Sequence, residues 1–317
     1  MTTLRFGLIG TGHWALQAHG RGLVASPHSE LVGVWGRSPA RAAEVAGQLG
    51  ARAYEDLDRM LAEVDAVALA VPPDVQAELA VRAARAGRHL LMDKPMSFTA
   101  EGARQVVEAV DEAGVASVVF FTARFRTDVE AWTNEVAAKG PWHSGHLEFY
   151  ANIYQAGNPY GASNWRRERG ALWDVGPHAL AALLPVLGPV SALSARRGPT
   201  GSDTVHLLLD HGPSRGSEAA GPPADVVSTS VVSLSLTMPA AATGNQFVLR
   251  GDRGTVTRPE TAFEAVDAYL NAVAQLVGTA GAGSRSHPCD AHFGLQVVEV
   301  LAAAEVALGK PGTQVRH

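Results

Sequence analysis

The sequence is poor in several things that a chain of 317 residues can carry. It has one cysteine, Cys289, which excludes an internal disulfide and fits a reducing compartment. It has no basic excess: 26 Lys and Arg against 31 Asp and Glu give a formal net charge of -5, which argues against a surface that tracks nucleic-acid phosphates. Charged residues make up only 18%, and the 46% that are hydrophobic can bury a sizeable core, which excludes a disordered chain. No apolar run approaches the roughly 18–20 residues that a bilayer span needs. The opening "MTTLRFGLIG" enters a strand pattern at once, with no basic leader and long apolar stretch. There is no internal repeat and no metal-ligand spacing. These absences predict a cytoplasmic protein with neither a nucleic-acid nor a membrane partner and no metal.

What is there is a change of pattern part-way along. The chain is too long for one typical domain and comfortable for two. Residues 4–9, 31–35, 66–71, 89–92 and 117–121 are short, apolar and rich in Val and Leu, as strands covered on both faces should be. Between them, residues 13–25, 39–49, 74–86 and 99–113 have the length and periodicity of helices. Strand and helix in strict alternation predict a doubly wound parallel sheet with right-handed crossovers. From residue 122 the pattern changes to a helix over 127–139, a strand over 145–152, a Gly/Asn/Pro-rich loop and then the helix that "ALWDVGPHAL" begins. Strands over 190–196, 204–209, 226–236, 247–250 and 255–257 then follow without intervening helices, which predicts an open, mostly antiparallel sheet. Residues 211–225 have loop composition, and helices over 262–277 and 291–308 close the chain. The expected layout is therefore α/β: a Rossmann domain over 1–121 and an α+β domain over 122–317 for substrate binding and oligomerisation, with the last helix able to pack back on the first. The segment "VVSTSVVSLSL" alternates in polarity, and the helices after residue 121 are too few to cover both sheet faces. The second face should therefore pack on another copy, as a homodimer or homotetramer.

Three segments carry chemistry. "GLIGTGHWA" places Gly10, Gly12 and Ala15 as G-x-G-x-x-A between the first strand and a helix. Gly10 allows the tight turn, Gly12 lets the backbone approach a pyrophosphate, and the small Ala15 allows close packing. The helix N-terminus then offers its N–H groups to the phosphates, so Thr11, His13 and Trp14 join the candidate cofactor contacts. At the end of the second strand, where an NAD site usually has an acid for the ribose 2′-OH, the chain has Trp35 and Gly36 followed by Arg37, Ser38 and Arg41. Two guanidiniums and no carboxylate favour NADP over NAD, with NAD still possible. Val71 and Pro72, closing the 66–71 strand, are further candidates.

"HLLMDKPMSF" puts Asp93, Lys94 and Pro95 at the C-terminal end of a buried strand, the edge where open α/β sheets bind ligands. In "ALWDVGPHAL", Asp174 and His178 are four apart and share a helix face. Gly176 and Pro177 mark a helix that is only starting, because proline is tolerated in a first turn and not in the middle. An imidazolium is disfavoured at that positive dipole end, which biases His178 toward the neutral form of a general base. Asp174 is left three roles: to orient the ring, to bind a substrate hydroxyl, or to cap the helix.

On "GLIGTGHWA", "HLLMDKPMS", "NWRRERGALWDVGPHALAALLPVLG" and "HFGLQVVEVLAAAEVALGKP", in that order, the chain resembles the Gfo/Idh/MocA family over essentially its whole length. The resemblance implies an NAD(P)-dependent dehydrogenase or reductase acting on a sugar, polyol or related small molecule. It also implies catalytic roles for Lys94, Asp174 and His178, cofactor contacts from Trp165 and Arg166, and a homo-oligomer. Two alternatives stay open: an enzyme with a tethered NAD that cleaves glycosidic bonds, and a nucleotide-sensing regulator. The chain departs from the family in having Asp93 for the usual Glu, only Gly170 before the apolar residue, Ala181 for a frequent aspartate, and Thr122 ahead of Arg124. These departures bear on substrate more than on cofactor.

Overall fold

The computed structural model describes residues 3–212, 228–260, 262 and 264–310. It divides into two compact units, Met1–Thr127 with Phe263–Val298, and Asp128–Ala262 with Glu299–His317.

The first unit is built on six strands: β1 (Leu4–Ile9), β2 (Ser29–Trp35), β3 (Arg52–Tyr54), β4 (Ala66–Leu69), β5 (His89–Asp93) and β6 (Ser117–Phe120). All pair in parallel, in the order β3-β2-β1-β4-β5-β6, the doubly wound arrangement expected. Phe6, Leu8, Val67, Leu69, Leu90, Leu91, Val118 and Val119 are fully buried, because crossover helices cover both faces. Those helices are α1 (Arg21–Ala25), α2 (Pro39–Leu49), α3 (Leu57–Glu63), α4 (Pro73–Arg85) and α5 (Ala100–Ala113). The helix entering α1 is π-helical over Ala15–Gly20. The short β3 and α3 went unmarked in the sequence pattern. A further helix, α9 (Ala265–Gly281), belongs to this unit.

The second unit contains α6 (Thr127–Lys139), β7 (Trp142–Tyr150), α7 (Asn164–Asp174), α8 (Gly176–Leu187), β8 (Val190–Arg197), β9 (Val205–His211), β10 (Ser228–Ser235), β11 (Gly244–Gly251) and β12 (Gly254–Thr257). Its sheet runs β12-β11-β7-β10-β9-β8; every pair is antiparallel except β7 with β10. The apolar α8 lies on one face, where a Cβ on Gly145 would meet Leu187 at 2.7 Å. The expected loop over 211–225 lies outside the described residues from 213 onward.

Two helical stretches are long and apolar enough to cross a membrane, Asn164–Leu187 and Ala291–Leu308 (the latter α10). They pass by length and mean composition, and neither is an uninterrupted apolar run, since Asp174 breaks the first and Glu299 and Glu305 the second. The first reaches that length because α7 and α8 run on through Val175, and it is mostly buried inside the fold. In the second, Leu301 and Ala304 are fully buried, while Glu305 accepts from Arg169 and Trp173.

Candidate active site

The first unit brings most of the expected residues to one edge. β2, β1, β4 and β5 are neighbouring parallel strands, so their C-terminal ends point the same way. Residues 36–41 follow β2, residues 10–14 follow β1, Val71 and Pro72 follow β4, and Asp93 and Lys94 stand at the end of β5.

Within that edge the glycine loop is tightly specified. Gly10 has φ +138°, and a Cβ there would lie 2.3 Å from the Ala70 carbonyl oxygen. Its N–H donates to the Trp35 carbonyl at 2.9 Å, tying the ends of β1 and β2 together. A Cβ on Gly12, by contrast, would meet nothing within 4 Å. The loop is thus closed on the strand side and open where a pyrophosphate would approach, so a dinucleotide fits this cradle. Gly36 has a packing role, since a Cβ there would strike Thr11 Cγ2 at 2.6 Å. Ser38 caps α2 by accepting from the Arg41 N–H, and Arg41 Nη2 donates to the Thr11 carbonyl at 3.2 Å. Arg41 therefore braces the loop, and Arg37 is exposed beside it.

Lys94 is half-buried and opens a turn whose backbone is clamped from α4. Gln76, fully buried, directs its Nε2 at the carbonyls of Asp93 (2.7 Å), Pro95 (3.1 Å) and Met96 (3.4 Å). A buried amide shared among these carbonyls fixes the turn. Beyond β6, Nε and Nη1 of Arg124 are buried with no hydrogen-bond partner among the described residues.

In the second unit, α7 is interrupted at Gly170, whose φ of 62° and ψ of -160° turn the chain sharply. The helix starts at Asn164, earlier than expected, and this kink separates its arginine-rich first turn from the buried Ala171–Leu172–Trp173–Asp174. Asp174 ends α7, and His178 sits in the first turn of α8. The residue at the N-cap of α8 is Val175, which makes no side-chain cap. Asp174 faces Arg166, Oδ1 to Nε at 3.1 Å, with 9% and 16% of the two side chains exposed. The angle is that of an ion pair and not of a hydrogen bond. The Arg166 guanidinium also lies 4.4 Å over the Trp165 ring and 5.3 Å from that of Tyr160. The expected cofactor residues Trp165 and Arg166 thus form one stack that ends on the expected catalytic acid. Tyr154 donates to the Arg166 carbonyl at 3.0 Å, and burial, helped by the charges of Asp203 and Asp174, raises the pKa of its phenol. His178 stacks on Phe149 of β7 with ring centroids 6.0 Å apart. Its carrier helix is pinned where Gly176 admits Leu301 and Leu234.

The sequence reading missed Gln76, since its acceptors lie 17–20 residues away and no local pattern marks it. It also missed the Arg166–Asp174 pair, although a buried acid eight positions after an arginine on a kinked helix was a usable signal.

Residues 4–121 match the family described as "Oxidoreductase family, NAD-binding Rossmann fold", GFO_IDH_MocA. Over those residues, the strands and crossovers of the first unit, the chain is similar to this family. It is 31% identical over 202 residues to an oxidoreductase of Synechocystis sp., an alignment covering 61% of this chain and 53% of that one. It is 38% identical over 112 residues to a UDP-N-acetylglucosamine 3-dehydrogenase of Acidithiobacillus ferrooxidans, covering 35% of each. The matched part thus spans about half of the first relative and little more than a third of the second. The solved structure of the UDP-N-acetylglucosamine 3-dehydrogenase from Acidithiobacillus ferrooxidans superposes with a TM-score of 0.78 at 20% identity, covering 97% of this chain and 98% of that one. That likeness extends the shared fold across both units.

Proposed function

We propose that the chain is an NADP-preferring oxidoreductase that interconverts a secondary alcohol and a ketone on a sugar, polyol or related small molecule. The observation that carries this reading is the position of Lys94, clamped by Gln76 on the same strand edge as the open Gly12 cradle. Residues 10–14, Gly36, Arg37, Ser38, Arg41, Val71, Pro72 and Asp93 would hold the dinucleotide, with Trp165 and Arg166 as further contacts. When bound, the cofactor supplies or accepts the hydride. The chain's own groups manage charge and protons. In the oxidation direction an imidazole nitrogen of His178 takes the proton of the substrate hydroxyl, and the Lys94 ammonium stabilises the developing alkoxide. Asp174, paired with Arg166, offers its carboxylate to a substrate hydroxyl or to the imidazolium that forms. Reduction uses the same groups in reverse, with His178 as the acid.

The 2′-phosphate reading rests on Arg37, because Arg41 is already engaged with Thr11. NADP(H) is expected to bind more tightly than NAD(H), and Arg37→Ala to narrow the gap by about 1.5–3 kcal/mol, roughly ten- to a hundred-fold. Titrations of both cofactors by protein fluorescence check this; equal affinities in the unmodified chain would remove the basis for the preference.

Assembly belongs to the same reading. On the sheet of the second unit Leu208 and Val231 are paired across β9 and β10, and 49% and 40% of their surfaces are exposed. Two apolar side chains side by side on an open sheet suit a two-fold contact between copies. Leu208→Asp is expected to convert a dimer or tetramer to monomer in light scattering. A monomeric unmodified chain at micromolar concentration would contradict the assignment.

A further inference from the structure

Next to the Lys94 turn, in the first unit, lies a polar cluster with no role in the chemistry described so far. His19 is fully buried on the π-helical turn. Its ring meets Tyr269 at 4.5 Å between centroids, Phe120 at 5.9 Å and Trp14 at 6.4 Å. The Tyr269 ring is admitted by Gly22, where a Cβ would strike it at 2.3 Å. Among the described residues neither ring nitrogen of His19 has a hydrogen-bond partner, and neither does the Tyr269 hydroxyl. Burial holds the His19 pKa down at about 3, so the ring is neutral and carries one N–H. Burial, with the charge of Asp93 second, raises the Tyr269 phenol well above its ordinary range, so it keeps its proton.

An unmet buried polar group costs about 1–3 kcal/mol, and Leu and Phe would fill the same space without that cost. A π-helical turn is itself uncommon and tends to mark functional positions. The charged group next to His19 is Asp93. His19 Nε2 is 4.0 Å from Asp93 Oδ1, beyond hydrogen-bond length, and the Tyr269 hydroxyl feels the same carboxylate. A movement of about 1 Å, within the reach of one side-chain rotation, closes that distance to an ordinary hydrogen bond.

We propose that His19 and Tyr269 are positioning residues for Lys94: their N–H and O–H are two buried donors for the Asp93 carboxylate. Gln76 fixes the backbone carbonyls, and this pair fixes the acid that precedes the lysine. The inference rests on the catalytic reading of Lys94.

Lysine acetylation tests it without a substrate, because the chain has only three lysines, Lys94, Lys139 and Lys310. The full-length protein is acetylated briefly, with and without NADPH, and each lysine is quantified by peptide mass spectrometry. His19→Leu should leave the melting temperature unchanged or raised, yet acetylate Lys94 severalfold faster relative to Lys139 and Lys310. Tyr269→Phe, which removes a single oxygen, should move Lys94 in the same direction. His19→Gln, which keeps a buried N–H donor, should return Lys94 to its original rate. Where a substrate is in hand, kcat should fall about tenfold or more in His19→Leu, the loss of one charge-assisted hydrogen bond, with KM for the cofactor little changed. Unchanged Lys94 acetylation in both His19→Leu and Tyr269→Phe would overturn the proposal and leave the pair as core filling. Lys94→Ala separates the two readings. If it is inactive while His19→Leu and Tyr269→Phe behave like the unmodified chain, only the positioning role fails. If Lys94→Ala is fully active, the catalytic reading of Lys94 fails, and the acetylation rates still decide whether the pair holds the turn.

Discussion

Lys94→Ala and His178→Ala should each lower turnover by roughly 10²–10⁴, the range for losing a positioned charge-stabilising or acid–base group. The two variants should differ in binding. Lys94 shares its strand edge with the dinucleotide loop, so its loss should also weaken the cofactor, whereas His178→Ala should leave cofactor affinity nearly unchanged. Asp174→Asn completes the set. Asparagine cannot neutralise Arg166, and breaking a buried ion pair by removing one partner costs about 3–5 kcal/mol. A loss of both stability and turnover is therefore expected from Asp174→Asn, against a loss of turnover alone from His178→Ala. Steady-state kinetics beside thermal melts read these differences. Full activity in His178→Ala on the physiological substrate would return that histidine to the core.

The second large effect separates two glycines of one loop. Gly10→Ala forces a residue with a Cβ to φ +138° and drives that Cβ to 2.3 Å from the Ala70 oxygen. Backbone strain of about 1–3 kcal/mol and overpacking of similar size should together lower the melting temperature by about ten degrees. Gly12→Ala should do the opposite. Its Cβ meets nothing within 4 Å, so the melting temperature should hold while cofactor affinity falls by at least about tenfold, one lost close approach to the pyrophosphate. If Gly12→Ala binds NADPH and NADH as well as the unmodified chain, the cradle is not where the dinucleotide lies.

Local signals and long-range ones were not equally legible in the sequence. β1, the glycine loop and the helix after it form one continuous signal, and the doubly wound order follows from the alternation of strand and helix. The place of Lys94 at the ligand-binding strand edge was legible from the strand pattern, but its role came only from the family resemblance, because a charged turn after an apolar strand is ordinary. β3 was not legible, because three residues carry too little periodicity to stand out. The start of α7 was hidden by its composition: Asn164 to Gly170 is polar, with four charges and a glycine, and the fold makes it helical by stacking Arg166 on Trp165 and pairing it with Asp174. The three roles left open for Asp174 gave no hint of its pairing with Arg166, which the kink at Gly170 brings about. The parallel pairing of β7 with β10 has no local signature. Nor has the meeting of His19 with Tyr269, since neither residue has a neighbour in sequence that announces the other.

Nicotinamide absorbance, followed with NADP and NAD in parallel across a panel of sugars, polyols and keto sugars, tests the proposed chemistry most directly. The unmodified protein should turn over at least one of them many times per active site, faster with NADP, and Lys94→Ala should abolish the signal. Cofactor that binds and stays bound with no net reduction on any member of the panel, or turnover that survives Lys94→Ala unchanged, would contradict hydride transfer by this site.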